Sequence, residues 1–233
     1  MAGRLGRQPG FGHMMDMVRE AVPPVCADGR GFVAGGLALA VLGWRWRPVR
    51  YLGLAAAGAM AFFFREPARV SPVGQPGIVV APADGEICVV DEAVPPAESG
   101  LGTLPRQRVS VFLSLTDVHV QRTPVAGRVV DVIHTPGTFL SADLPEASET
   151  NERTVLVLRT PDGVEVACVQ VAGLVARRIV TQVAAGDDLA LGQTYGLIRF
   201  GSRVDLYLPL DARVDVLPGQ RTIGGETVLG RLS

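Results

Sequence analysis

The chain has 233 residues, room for one large domain or a domain with an appendage. It is 48% hydrophobic and 19% charged, which excludes a disordered chain, and its formal net charge of −1 offers nucleic acid no attractive global field. All 22 basic residues are Arg; without Lys there is no internal Schiff base to pyridoxal phosphate, no P-loop lysine and no biotin or lipoate attachment point.

Residues 1–30 form a polar N-terminal segment, with one short helix expected over Met14–Val22. Two apolar runs follow, Gly31–Trp44 and Tyr51–Phe64, separated by Arg45-Trp46-Arg47-Pro48-Val49-Arg50. As helices each is about 21 Å long, short of a hydrocarbon core of roughly 30 Å. Arg30, Arg45, Arg47, Arg50, Arg65 and Arg69 lie on every flank, so the charge bias of a spanning pair is missing. Residues 31–69 therefore read as a helical hairpin that dips into one leaflet. Trp44, Trp46 and Tyr51 would sit at the interface and the Arg side chains would meet anionic lipid on the cytoplasmic face of the cell membrane. A soluble buried hairpin is the alternative.

Residues 70–233 change to short β-runs, predicting a mainly β domain. Val109–Leu115 is one strand, Thr154–Thr160 and Val164–Val171 form a hairpin through Pro161-Asp162-Gly163, and Leu197–Phe200 and Val204–Leu208 are two more. Pro82-Ala83-Asp84-Gly85, followed by Ile87 and Val90, repeats 42 residues later as Pro124-Val125-Ala126-Gly127, followed by Val129 and Val132. A second echo links Gly192-Gln193 with Gly219-Gln220. The repeat resembles the barrel-sandwich arrangement of biotinyl and lipoyl carriers, whose function the missing Lys rules out. Exposed edge strands leave room for self-pairing, and a homodimer is one expectation.

Cys26, Cys88 and Cys168 are isolated, which argues against a disulfide framework or a zinc site; small buried hydrophobes are expected. A three-His metal site would need His13, His119 and His134 together, so no metal is expected.

The residues with chemical potential are individually unremarkable. Gly201-Ser202 between two β-runs is by itself a bulge or tight connection. It lacks the G-x-S-x-G pattern and following helix of a nucleophile elbow. Asp84 before Gly85 is a turn former, and His119 closes a β-run.

Taken in order, Phe62-Phe63-Phe64-Arg65-Glu66-Pro67, Pro82-Ala83-Asp84-Gly85, Asp117-Val118-His119, Pro136-Gly137, Asn151-Glu152-Arg153 and Phe200-Gly201-Ser202 resemble the phosphatidylserine decarboxylase family in its short form, from about Phe62 to Leu208. The resemblance implies a self-processing proenzyme that makes its own pyruvoyl group. Ser202 Oγ attacks the Gly201 carbonyl, and elimination separates Met1–Gly201 from a chain beginning at residue 202, whose residue becomes the pyruvoyl group. The two chains stay associated. The substrate amine then forms a Schiff base there, carbon dioxide leaves, and phosphatidylethanolamine results.

By the same resemblance, His119 is the base for Ser202 and Asp84 orients it, as in an Asp–His–Ser relay. Longer bacterial members carry a second His three residues after the first; here that position is Arg122, so His119 could serve both processing and decarboxylation. Arg65, Arg69, Arg122 and Arg153 are candidates for lipid phosphate or carboxylate, and His134 is a further candidate near the substrate. The competing functional class is a membrane-anchored, non-catalytic β-barrel that binds a lipid or partner, whose chain would stay uncut.

Overall fold

This computed structural model describes residues 23–72, 74, 76–142, 144, 146–174, 178–199 and 201–233. The helix expected over Met14–Val22 lies outside the described residues, as does Phe200. The chain divides into two compact units, Met1–Ala68 and Arg69–Ser233.

In the first unit, α1 (Arg30–Leu42) and α2 (Arg47–Phe63) pack on each other. The second helix starts earlier than its apolar run because Pro48 sits in its first turn, where a missing N–H costs nothing. The contact stripe is made of small residues: Ala40 and Ala57 are buried, and a Cβ on Gly36 would lie 2.7 Å from the Ala57 backbone nitrogen. Small residues here let the two backbones approach and leave the larger side chains outside. Leu42 is 86% exposed and Trp46 is 72% exposed, and Phe32, Leu37, Trp44, Tyr51 and Leu52 are exposed as well. Among the described residues no helix is long and apolar enough to cross a membrane.

The second unit is mainly β, built on a curled half-barrel sheet. Its strands run β1 (Ile78–Val80), β2 (Gly85–Ala93) and β3 (Arg106–Leu113). Then come β4 (Val120–Arg122), β5 (Gly127–Thr135), β6 (Arg153–Arg159) and β7 (Glu165–Ala172). The chain continues through β8 (Ile179–Thr181), β9 (Asp188–Leu189) and β10 (Thr194–Ile198). It ends with β11 (Ser202–Leu208), β12 (Arg213–Val214), β13 (Arg221–Thr222) and β14 (Val228–Arg231). After residue 69 the helical segments among the described residues are a 3-10 turn at Ala97–Ser99 and the single α-helical turn α3 (Ala147–Thr150).

The eight-stranded sheet has the order β13-β2-β3-β11-β7-β6-β5-β9, flanked by β1-β14-β12 and β4-β10-β8. These orders read the same from either end once β2 is matched with β5, β3 with β6 and β11 with β7. The two P-x-x-G segments start the matched strands β2 and β5. Both strands carry a register shift two residues in, at Ile87/Val89 and at Val129/Asp131. Val80 N–H donates to Pro124 O at 2.9 Å and Arg122 N–H donates to Pro82 O at 2.8 Å, a reciprocal pair across the repeat.

The second echo is misaligned. Gly219 N–H bonds Ile87 O while Gly186 N–H bonds Val129 O, so Gly219 matches Gly186, and Gly192 matches Gly225. Gly192-Gln193 and Gly219-Gln220 look alike because both Gln side chains accept the N–H three residues back, from Ala190 and Leu217, each closing the same kind of turn.

Val204, Leu206 and Leu208 alternate into the main core with Val111, Leu113, Ile87, Leu156 and Tyr195. Arg203, Asp205 and Tyr207 point to the opposite face, where Tyr207 packs with Val155, Val169 and Val171. Both faces are covered, so β11 is buried along its whole length. Of the three cysteines, Cys26 and Cys168 are buried, as expected, but Cys88 is exposed. It is the extra residue of the β2 bulge, which takes it off the inner face.

Candidate active site

Ser202 opens β11 at the centre of the large sheet, opposite Leu113 of β3 and Ala172 of β7. Its side chain is fully buried, and its Oγ has no hydrogen-bond partner among the described residues. A buried hydroxyl without a partner costs about 1–3 kcal/mol. Gly201 has φ +67°, a left-handed conformation that bends the chain just before the serine. A Cβ there would meet no atom within 4 Å, so the demand for glycine is conformational and not steric.

His119 reaches this bend from a neighbouring turn. β3 ends at Leu113, the residue beside Ser202, and the chain reverses over Ser114–Asp117. Asp117 N–H donates to Ser114 O at 3.0 Å, and the Asp117 carboxylate accepts Ser114 N–H at 2.9 Å and Ser114 Oγ–H at 2.8 Å. The imidazole is 1% exposed. Its Nδ1 lies 3.0 Å from Asp117 O, and its Nε2 lies 3.3 Å from Gly201 N. A carbonyl can only accept, so Nδ1 carries the proton. A backbone N–H can only donate, so Nε2 presents a lone pair. The histidine is thus a neutral base held by its far side against the residue that precedes Ser202.

Asp117 itself is not among the sequence candidates, although it lies in the quoted Asp117-Val118-His119 motif. Burial opposes its charge, but hydrogen bonds from Arg221 and Ser114 outweigh burial and hold the carboxyl below its ordinary range. A depressed folded value stabilises the fold above the unfolded value of about 3.9 and loses that stabilisation as pH falls through the folded value. Asp117→Asn is expected to cost about 1–2 kcal/mol at pH 7, because the Arg221 end of the pair is solvent-exposed. Thermal melts should show Tm lowered by a few degrees at pH 7, and the gap to the parent narrowing below pH 4.

Asp84 sits just before β2. Its described hydrogen bonds come from Arg69 at 2.6 Å and from Gly224 N–H at 2.7 Å. Arg122 donates to Gly192 O at 3.0 Å, and its Cδ packs against Gly225. Arg153 donates to Glu98 at 2.5 Å and to Glu149 O at 2.7 Å. Arg153 is opposite Val171, which is opposite Arg203, so it lies two strands, about 10 Å, from β11. His134 is one strand further, across Thr154 and Gln170 from Val204, with its Nδ1 3.1 Å from Thr154 Oγ1. In the first unit, Arg65 donates to Phe62 O at 2.7 Å and stacks 4.0 Å over the Phe62 ring. The structure therefore brings Ser202, Gly201 and His119 together and engages each Arg candidate with another part of its own unit.

Two of the quoted motifs build a strap beside the site. A Cβ on Gly137 would meet Glu152 N at 2.5 Å, so Pro136-Gly137 lies directly on Asn151-Glu152. The buried Asn151 donates to Leu140 O and to Ala172 O, both at 2.8 Å, and accepts Leu140 N–H at 2.9 Å. Arg203 pins the strap's middle from below, donating to Ala142 O at 2.9 Å, to Asp205 at 2.9 Å and to Ser148 Oγ. Arg203, Asp205 and Ser148 are the network that sequence reasoning missed. The signal available was charge in a central strand: Arg203 and Asp205 alternate with apolar residues, which in a sheet covered on both faces requires a buried ion pair.

A left-handed glycine, the buried hydroxyl of the next residue and an imidazole on the glycine N–H thus lie together. The family model for phosphatidylserine decarboxylase matches residues 57–230, and the chain belongs to this family. It is 59% identical over 232 residues to the phosphatidylserine decarboxylase proenzyme of Mycobacterium avium, covering 99% of this chain and 96% of that protein. The proenzymes of the same name from Mycobacterium tuberculosis and Mycolicibacterium smegmatis are 58% and 55% identical, the first over 97% of each chain and the second over 100% of each.

Proposed function

We propose that this chain is a self-processing proenzyme that decarboxylates phosphatidylserine to phosphatidylethanolamine. The observation that carries the reading is His119 Nε2, 3.3 Å from Gly201 N, one residue before a buried Ser202 Oγ that has no hydrogen-bond partner among the described residues. Ser202 acts as nucleophile on the Gly201 carbonyl and His119 accepts its proton. Asp84, which accepts from Arg69 at 2.6 Å, orients His119 in the Asp–His–Ser relay.

The residue left at position 202 would head the second chain as a pyruvoyl group, and the buried cradle that surrounds Ser202 suits a small carbonyl. When formed, that group supplies the electron sink that an amino-acid decarboxylase otherwise draws from pyridoxal phosphate. Around it the chain's own residues keep water out: Leu113, Val204 and Ile198 are all buried. His119 remains the group able to hold or return a proton there. Because both faces of β11 are packed, the chains Met1–Gly201 and 202–233 stay associated after cutting, held by the ladders to β3 and β7.

The repeat-built sheet supports a barrel-sandwich-like description of the β domain. The first unit serves as a membrane-contact device on the cytoplasmic side. Its exposed Leu, Trp and Tyr side chains are what a helix pair lying in one leaflet presents, and Arg50 stacks 5.2 Å from the Trp44 and Tyr51 rings at the interfacial end. Anchoring beside the substrate raises its effective concentration. The Arg candidates Arg65, Arg69, Arg122 and Arg153, with His134, remain the candidates for a lipid head group on rearrangement of their present contacts. Self-association into a homodimer belongs to the same reading.

The test is intact-mass analysis of the purified chain together with carbon dioxide release from phosphatidylserine vesicles. Two chains split after Gly201, the smaller without a free amino group, and release of carbon dioxide are expected. A chain that stays whole and releases none would instead be a non-catalytic lipid- or partner-binding module.

A further inference from the structure

The carbonyl at the cutting point already has a hydrogen-bond donor. Gly173 N–H donates to Gly201 O at 3.2 Å. Gly173 follows Ala172, the ladder partner of Ser202, so an antiparallel ladder would place Gly201 and Gly173 as a pair exchanging two hydrogen bonds. Only one of the two is made in the usual way. Gly201 N–H turns instead to His119 Nε2, while Gly201 O keeps its donor from Gly173.

The donor is fixed from behind. Gly173 N–H and Ala172 C=O belong to one planar peptide unit, so the direction of one sets the direction of the other. Ala172 O accepts Asn151 Nδ2–H at 2.8 Å, and Ala172 N–H donates to Glu152 O at 2.9 Å. Asn151, fully buried, thus holds the rear of the peptide whose front faces Gly201 O, and a hydrogen bond at one end of a peptide polarises the other. Position 173 has no space for a side chain: a Cβ would lie 2.5 Å from Gly201 O and 3.3 Å from Ala142 Cβ. The nearest atom is backbone, which cannot rotate away.

We propose that the Ala172–Gly173 peptide, aimed by Asn151, is the oxyanion donor for self-cleavage at Gly201–Ser202. This rests on the self-processing reading above. When Ser202 Oγ bonds to the Gly201 carbonyl carbon, the π pair moves onto Gly201 O, and His119 Nε2 gives up its hydrogen bond from Gly201 N–H to take the Oγ proton. Gly173 N–H then faces full negative charge in a buried site, where a pre-aimed donor is most effective. On collapse, the C=O re-forms, the bond to Ser202 N breaks and that nitrogen takes the proton from His119, leaving an ester. Gly173 contacts a reacting atom, and Asn151 is a positioning residue. The arrangement also gives the Asn151-Glu152-Arg153 segment a part in the chemistry without touching Ser202.

The test follows the cutting rate of full-length chain made without added ligand. Replacing Gly173 by glycolic acid removes the N–H and keeps the shape, and cutting is expected to slow about 100- to 1,000-fold. Gly173→Ala should slow it at least as much. Hydroxylamine, which captures the ester, should release no more Met1–Gly201 chain from that variant than cutting alone, since the ester itself fails to form. Asn151→Asp should slow cutting less than either. Cutting of the glycolic-acid chain at the parent rate, or ester accumulation in Gly173→Ala, overturns the proposal while leaving self-processing intact. A parent chain that never cuts overturns both.

Discussion

Ser202→Ala is expected to leave a single, uncut chain of 233 residues, with no carbon dioxide released from phosphatidylserine. The effect is complete because no other hydroxyl can take over. The ladder neighbours of Ser202 are Leu113 and Ala172, which carry no nucleophile, and the bend at Gly201 aims only the next residue at its carbonyl. The same substitution is expected to preserve or raise Tm, since it removes a buried hydroxyl with no partner among the described residues and leaves the Cβ in the packed core. Intact mass and a thermal melt on one sample check both halves. A variant that still splits after Gly201 would place the nucleophile elsewhere.

His119→Ala is expected to slow splitting by about 100- to 10,000-fold, the usual range for removing a positioned base. It also leaves a ring-sized cavity beside the Gly201 N–H, because the imidazole is almost wholly enclosed. Added imidazole should therefore restore part of the rate, in proportion to its concentration, and a non-basic molecule of similar size should not. That rescue separates a base from a mere packing residue: filling the cavity alone would restore the melt but not the splitting. Splitting of His119→Ala at the parent rate would assign the base to another group.

Much of the β domain is legible in the sequence because short apolar runs between turn residues have few other solutions. The hairpin through Pro161-Asp162-Gly163 appears as β6 and β7, and the P-x-x-G repeat starts two strands that carry the same bulge. The Gly192 and Gly219 echo misleads because one turn chemistry serves several corners. Turn residues report local backbone shape, while the internal match depends on which strand each turn meets. In the same way, Pro136-Gly137 and Asn151-Glu152-Arg153 look in sequence like parts of a site, but their described contacts make them a strap that holds Ala172 and covers Arg203.

By itself the sequence determined the chemical class of the problem. With no Lys in the chain, pyridoxal phosphate has no attachment point, and it is the resemblance to phosphatidylserine decarboxylases that proposes Gly201-Ser202 as the precursor of a different electron sink. Gly, Ser and His are legible as types because their chemistry is local to each side chain. Only the tertiary structure decided how they meet. The proton position on His119 follows from the Asp117 carbonyl, and the donor to Gly201 O comes from Gly173 across a strand boundary. Neither is written in side-chain identity, since both are backbone groups whose direction exists only once β3, β7 and β11 are paired.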